Sequence, residues 1–327
     1  AGIGVDNVDV DAATAQGIAV MNTPFGNSVT TAEHTIALMM AMARQIPEAN
    51  ASTHAGKWEK NAFMGVELMG KTLGLIGCGN IGSIVADRAQ GLKMKVVVYD
   101  PYLSKERADA IHVEKVELDL LFERADFITL HTPLTDTTRN IINKNTLAMC
   151  KKGVRIINCA RGGLVSEADL KAAIESGQVA AAALDVFEEE PAKKNILFGM
   201  KEIICTPHLG ASTAEAQENV AIQVAQQMSD YLVNGAVTKA LNIPSVSAEE
   251  AAKLKPYLFL HDQLGGFVGQ LVDGGIKESN LDYEGGVAKL GTKPLTAVAL
   301  KGVLAPLMDN VNMVNAPTIA RERDIKI

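Results

Sequence analysis

The six residues Gly77-Cys78-Gly79-Asn80-Ile81-Gly82 follow directly on the apolar run 73–76 and open a helix-length segment at 81–92. Three glycines at this spacing, between a strand and a helix, leave the backbone few options. The first permits a tight turn, the second lets a pyrophosphate come up to bare backbone, and the third lets the helix lie close against the strand with its N-terminal amides facing the anion. Asn80 and Ile81 would supply those amides. A glycine-rich turn without a ligand is the plainer alternative, and the strand before and helix after weigh against it. Asp100 ends the next apolar run, 96–99, at the distance where a carboxylate accepts from the adenosine ribose hydroxyls. A 2'-phosphate would meet like charge there, and Pro101 and Tyr102 follow rather than an Arg, so the cofactor expected is NAD rather than NADP. That Asp100 simply caps a turn before Pro101 stays open as the alternative.

The same texture continues along the chain. Short apolar runs at 73–76, 96–99, 127–131, 154–158, 181–186 and 203–206 alternate with amphipathic segments such as 81–92 and 117–124, while 166–176 starts on a capping Ser166 and stops before Gly177. Buried parallel strands joined by crossovers predict an α/β fold, a doubly wound parallel sheet of Rossmann type. Two longer helices flank it. Thr30-Thr31-Ala32-Glu33 reads as a capping box leading into Ile36, Met39, Met40 and Ala43, and Ser212-Thr213-Ala214-Glu215 leads into Val220, Val224 and Met228 before Gly235. Either both pack on the sheet, or both carry the chain to a second domain across a cleft. Their position at the two ends of the alternating pattern favours the second. Past Asn242-Ile243-Pro244, glycine pairs, the period-two stretch Leu281-Asp282-Tyr283 and a helix-like run at 295–307 predict a separate small α+β unit, with 324–327 reading as an interrupted strand.

Composition narrows the partners. A chain of 327 residues, 47% of them hydrophobic, can fill more than one core, so two domains are expected. No run of eighteen apolar residues and no signal-like start are present, which predicts a soluble, cytoplasmic protein without a membrane partner. A net charge of -7 and a single Trp58 argue against nucleic acid. Cys78, Cys150, Cys159 and Cys205 are scattered without a Cys-x-x-Cys pair, so neither a metal site nor a disulfide framework is expected.

Three residues follow the ends of the later predicted strands, the edge at which such sheets bind ligands. Arg161 stands in Asn158-Cys159-Ala160-Arg161-Gly162-Gly163, Glu190 in Phe187-Glu188-Glu189-Glu190-Pro191, and His208 in Thr206-Pro207-His208-Leu209-Gly210. Singly, each has a dull explanation: a surface Arg, a solvated acidic run, a helix-capping His. Together beside a dinucleotide fingerprint they supply what hydride transfer from a 2-hydroxy acid needs. An imidazole exchanges the hydroxyl proton near neutrality, a carboxylate beside it fixes the ring, and a guanidinium grips the substrate carboxylate through two parallel hydrogen bonds.

At these residues the chain closely resembles the D-isomer-specific 2-hydroxyacid dehydrogenases, whose Arg, Glu and His lie in Cys-Ala-Arg-Gly-Gly, Glu-Glu-Pro and Pro-His-Leu-Gly contexts. Within the family it looks most like the branch that oxidises 3-phosphoglycerate, through Gly4-Val5-Asp6-Asn7-Val8-Asp9, Asn22-Thr23-Pro24-Phe25-Gly26-Asn27-Ser28 and His208-Leu209-Gly210-Ala211-Ser212-Thr213. The tail strengthens this: Asp282-Tyr283-Glu284-Gly285, Pro294-Leu295-Thr296 and Asn310-Val311-Asn312-Met313-Val314-Asn315-Ala316-Pro317 resemble an intervening domain of that branch. The resemblance implies NAD-dependent oxidation of 3-phosphoglycerate to 3-phosphohydroxypyruvate on the route to serine. A glyoxylate or hydroxypyruvate reductase, or a non-catalytic NAD-sensing module, are the alternatives.

Carried over by position, the resemblance implies cofactor contacts from Ile3, Asn80, Ile81, Asp100, Thr132, Cys159, Ala160, Arg161, Asp185, His208, Gly210 and Ala211. Asp185 would hold the nicotinamide amide, and Asn27 would touch substrate. It also implies a homodimer or higher homo-oligomer paired through the helix at 30–44. The expected division is 1–21 as a remnant of the substrate domain, 22–210 as the NAD-binding Rossmann domain, 211–242 as a return helix and 243–327 as a partial intervening domain. The family's first substrate-domain strands, with their phosphate-binding basic residues, and its serine-sensing domain are expected to be missing. On that expectation the chain binds NAD and turns phosphoglycerate over poorly.

Overall fold

The computed structural model describes residues 2–5, 7–272 and 274–327; Ala1 and Asp6, the latter part of the opening motif, lie outside the described residues. The chain divides into two compact units, Asn27–Ala216 and the combination of Ala1–Gly26 with Gln217–Ile327.

In the first unit α2 (Ser28–Arg44) and α3 (Ile46–His54) precede β1 (Thr72–Ile76), α4 (Asn80–Gly91), β2 (Lys95–Tyr99), α5 (Lys105–Ala110) and β3 (Glu114–Lys115). The order continues with α6 (Leu118–Arg124), β4 (Phe127–Leu130), α7 (Lys144–Met149), β5 (Val154–Asn158), α8 (Glu167–Glu175), β6 (Val179–Leu184) and β7 (Ile203–Cys205). The strands form one seven-stranded sheet in the order β3-β2-β1-β4-β5-β6-β7, every neighbouring pair parallel. Because the crossovers cover both faces, the central strands β1, β4 and β5 are buried along nearly their whole length. Ile76, Ile128, Leu130 and Ile156 face one core with Leu121, Phe122, Leu147 and Leu170 from α6, α7 and α8. Leu73, Leu75, Phe127 and Ile157 face the other with Val85 and Ala86 from α4.

The expected doubly wound sheet is therefore present, with one strand more than the apolar runs predicted. β3 is two exposed residues, Glu114 and Lys115, at the sheet edge, and an edge this short and charged leaves no hydrophobic trace. β6 begins two residues earlier than expected because Val179 pairs with Val154 ahead of a register shift, and ends two residues earlier because Leu184 meets Asn158 and Cys205, the last residues of β5 and β7.

The capping box expected at Thr30 is absent. α2 starts at Ser28 with Asn27 at its N-cap and no side-chain cap bond. The Thr31 hydroxyl donates instead to the carbonyls of Asn27 and Gly210. α2 lies wholly in the sheet unit and buries Ala32, Leu38, Met39, Met42 and Ala43 in the second core, so it packs on the sheet rather than bridging to another domain. α9 (Ala214–Ser229) does carry the chain from one unit to the other. It is capped by Thr213, whose hydroxyl accepts from Ala216 N at 3.1 Å, not by Ser212.

The second unit contains α1 (Val10–Ala15), most of α9, α10 (Ala248–Leu271), α11 (Thr292–Leu304) and α12 (Ala316–Glu322). The α+β expectation is corrected here: β structure is limited among the described residues to isolated bridges, including Val237 with Val246 and Glu278 with Lys326. The 24-residue α10 has no counterpart in the sequence reading. Pro256, Gly265, Gly266 and Gly269 are helix breakers by propensity, yet here the glycines let α11 come close. A Cβ on Gly265 would run into the Ala299 carbonyl oxygen, and one on Gly302 would stand 2.6 Å from the Asp262 carbonyl oxygen. Tertiary packing overrides propensity at this seam. Among the described residues no helix is long and apolar enough to cross a membrane.

Candidate active site

The glycine loop leaves β1 where the strand order reverses, with β2 on one side and β4 on the other. Such a switch point opens a crevice at the C-terminal ends of the strands. Gly77 has φ 91°, and a Cβ there would stand 2.5 Å from the His131 carbonyl oxygen. Gly82 is buried, and its Cβ would collide with the Gly77 carbonyl oxygen. At Gly79, by contrast, a Cβ would meet nothing within 4 Å. The outer two glycines are demanded by packing and the middle one by nothing in the protein itself. Open space above bare backbone at the N-terminus of α4 is what a pyrophosphate requires.

Asp100 does two things at once. Its Oδ1 accepts from Tyr102 N at 2.8 Å, the turn-capping role, and its Oδ2 accepts from Cys78 N at 2.7 Å, which ties the end of β2 to the glycine loop. Each oxygen keeps a further lone pair for a ribose hydroxyl. Thr132 follows β4, and the His131 amide donates to Ile76 O beside the loop. These features fit a dinucleotide.

Arg161, Glu190 and His208 follow β5, β6 and β7, three adjacent parallel strands, so their loops leave one edge of the sheet. A Cβ on Gly162 would collide with the Phe187 carbonyl oxygen, which shows how closely the Arg161 and Glu190 loops approach. His208 Nδ1 lies 2.6 Å from Glu190 Oε2, and Glu190 Oε1 accepts from Phe187 N at 3.0 Å. Both side chains remain partly open, at 52% and 34% exposure, as groups that meet a substrate must be. Arg161 is half-buried, and its Nη1 donates to Ala160 O at 2.7 Å. Asn158, itself buried, holds the turn by accepting from Ala160 N and donating to Arg161 O.

Asp185 has no exposed surface. Its Oδ1 accepts from the Thr206 hydroxyl at 2.5 Å and Leu209 N at 2.7 Å and stands 3.2 Å from His34 Nε2, while Oδ2 accepts from Gly210 N at 2.8 Å. Burial alone would raise its pKa, but the hydrogen bonds from His34, Thr206 and Leu209 outweigh it and hold the carboxyl below its ordinary range. In this conformation the carboxylate that the family resemblance assigns to the nicotinamide amide serves the 206–210 loop. The loop needs such support. His208 has φ 56°, a left-handed backbone that costs a residue with a Cβ roughly 1 kcal/mol or more.

Cys159 is buried against α2, and burial, outweighing a hydrogen bond with Thr35, pushes its thiol up to about 12. Gly210 is buried and Ala211 exposed. Asn27 ends in an Oδ1 that is buried without a hydrogen-bond partner, at the start of α2. Ile3 belongs to the other unit, where its carbonyl accepts from Asn22 Nδ2 at 2.9 Å. His34, His131, Asn158 and Thr206 were not among the expected site residues. Thr206 stands two residues before His208, and His131 directly precedes Thr132, a contact implied by the family resemblance. His34 sits inside a helix with no local mark.

Residues 36–210 match the NAD binding domain of the D-isomer specific 2-hydroxyacid dehydrogenases, and residues 253–327 match the D-3-phosphoglycerate dehydrogenase intervening domain. The chain is 50% identical to a D-3-phosphoglycerate dehydrogenase of Synechocystis sp. over all of its own length and 59% of that protein. It is 48% identical to the enzyme of the same name from Bacillus subtilis, over 99% of this chain and 62% of that one. The chain thus spans about six-tenths of the length of these curated relatives. A solved glyoxylate reductase from Paecilomyes thermophila aligns with a TM-score of 0.69 at 36% identity, covering 73% of each chain. A D-lactate dehydrogenase from Aquifex aeolicus, solved with NAD and lactic acid, aligns with a TM-score of 0.65 at 28% identity, over 72% of this chain and 75% of that one.

Proposed function

The chain belongs to the D-isomer-specific 2-hydroxyacid dehydrogenases, and from that premise we propose that it serves the NAD-dependent oxidation of 3-phosphoglycerate to 3-phosphohydroxypyruvate, a step toward serine. The observation that carries the reading is the 2.6 Å contact between His208 Nδ1 and Glu190 Oε2 at the same sheet edge as Arg161. With Nδ1 engaged, Nε2 is the nitrogen left to take the proton of the substrate hydroxyl. Glu190 fixes the ring and offsets the charge of the imidazolium that forms. Arg161 grips the substrate carboxylate, and Asn27, whose Oδ1 is buried without a protein partner, contacts the substrate from the start of α2. NAD, when bound, supplies the hydride acceptor. The amides of Asn80 and Ile81 face its pyrophosphate and Asp100 its ribose.

The phosphoglycerate reading rests on the two matched relatives and on the intervening-domain match at residues 253–327. A homo-oligomer in a reducing cytoplasm is part of the proposal. Trp58, Met64 and Met69 stand 87%, 79% and 72% exposed in the segment after α3, large apolar side chains that a second copy would cover. All four cysteines are free. The test is nicotinamide absorbance with 3-phosphoglycerate and NAD, set against glyoxylate and hydroxypyruvate with NADH. Preference for either of the latter would replace phosphoglycerate as the substrate. Arg161→Lys separates catalysis from NAD sensing: the enzyme loses most turnover and keeps NAD affinity, whereas a sensor is unaffected.

A further inference from the structure

His208 sits in a left-handed backbone, and the residues on either side of it are fixed through a single carboxylate. Thr206, Leu209 and Gly210 all donate to Asp185, which has no exposed surface. An anion so enclosed persists only with enough donors around it. One of those donors comes from elsewhere in the fold. His34, in the middle of α2, brings Nε2 to 3.2 Å from Asp185 Oδ1 and 3.3 Å from Thr206 Oγ1. Three residues earlier on the same helix face, the Thr31 hydroxyl donates to Gly210 O at 2.8 Å. α2 therefore grips the His208 loop at two points.

We propose that His34 is a positioning residue for the reaction: through Asp185 and Thr206 it fixes the 206–210 loop, and with it the direction in which His208 meets Glu190 and the substrate hydroxyl. The proposal rests on the dehydrogenase reading above. Loss of the His34 donor leaves a buried carboxylate short of hydrogen bonds and drives it toward its protonated form. A protonated carboxyl turns one acceptor oxygen into a donor, so one of the loop amides at Leu209 and Gly210 loses its partner. Catalysis suffers because the imidazole moves by a fraction of an ångström, not because a reacting group is gone.

A purely architectural His34, holding α2 to the sheet, predicts something different: lower thermal stability, with the folded enzyme unchanged. Two variants of the full chain separate the two. His34→Leu removes the donor, and His34→Gln replaces it with an amide N–H of similar reach. Positioning predicts that His34→Leu lowers kcat about tenfold or more while KM for substrate and for NAD changes less than about threefold, with His34→Gln recovering most of the loss. Amide hydrogen exchange gives the readout independent of turnover. Leu209 and Gly210 exchange about tenfold faster in His34→Leu, while Ile156 in β5 keeps its protection. Unaltered kcat in His34→Leu, or unaltered exchange at Leu209 and Gly210, overturns the proposal. Absence of turnover of any 2-hydroxy acid by the wild-type chain is instead a failure of the functional reading, and the exchange rates then decide alone whether His34 holds the loop.

Discussion

Nδ1 of His208 stands 2.6 Å from Oε2 of Glu190, although 18 residues of chain separate them, because β6 and β7 are neighbours that deliver both loops to one sheet edge. The contact leaves a single ring nitrogen for the substrate. His208→Gln is expected to lower kcat by about 10²–10⁴-fold, the range of a lost general base. Glu190→Gln keeps a polar partner without the charge, so its kcat should fall between wild type and His208→Gln. Steady-state kinetics with 3-phosphoglycerate checks the order. Equal losses in both variants would mean that Glu190 does more than orient the ring.

Two glycines of one motif answer to different masters. Gly82 is closed off by the Gly77 carbonyl, whereas Gly79 faces open space. Gly82→Ala is therefore expected to lower Tm by several degrees, through a shift of α4 against β1 that costs on the order of 1–3 kcal/mol. Gly79→Ala should leave Tm within about a degree of wild type yet weaken NAD binding about tenfold or more, since the methyl stands where the pyrophosphate would lie. Thermal melts and NADH fluorescence titration separate the pair. A Gly79→Ala protein that binds NAD normally would remove the anion site from the loop.

Acid stability should report on a histidine outside the proposed chemistry. His131 follows β4 with Nδ1 enclosed and partnerless, and burial lowers its pKa from 6.5 to about 3. Between those values the unfolded chain binds a proton that the folded chain refuses, so stability is full above pH 6.5 and falls as pH drops toward 3. From pH 7 to pH 5 the expected loss is on the order of 1–2 kcal/mol. Asp126 and Asp185, held below their ordinary 3.8, lose their contributions only at lower pH and do not confuse this window. Urea denaturation at the two pH values should show the loss in wild type and a flatter profile in His131→Asn. Matching profiles would sink the assignment.

How far the sequence discloses this molecule depends on whether a residue's reason is local. The glycine loop, Asp100 and the strand-end trio obey rules of spacing, so they are legible without coordinates. β3 is not, being two charged residues at an edge. α10 is hidden for the opposite reason: its glycines and Pro256 deny a helix locally, and only the close approach of α11 explains them. The start of α2 is misread because the Thr30 hydroxyl, the expected cap, pairs with the Thr213 hydroxyl 183 residues away, while the helix begins two residues earlier at Ser28. His34 is invisible for the same cause, since its partners Asp185 and Thr206 come from other strands' ends.

Cys78 sits within the glycine loop and Cys159 two residues before Arg161, so oxidation of either thiol would strike the candidate site. The reactive species of cysteine is the thiolate. Burial, with the nearby charge of Asp100, raises Cys78 from 9.0 to about 11 despite the opposing pull of Arg107, and burial raises Cys150 and Cys159 to about 12. Cys205, though an exposed residue, is raised to about 11, by burial of its thiol and the charge of Glu167. Two to three pH units above the ordinary value mean a thiolate fraction about 10²–10³-fold smaller at neutral pH. Alkylation of the native chain by iodoacetamide should thus be slower than that of the denatured chain by at least about a hundredfold, with Cys205 modified first because it is the accessible one. Mass spectrometry of timed samples reads the order. Rapid modification of Cys78 that NAD blocks would show a low-pKa thiol in the loop, contrary to the low-dielectric setting and the Asp100 carboxylate that surround it.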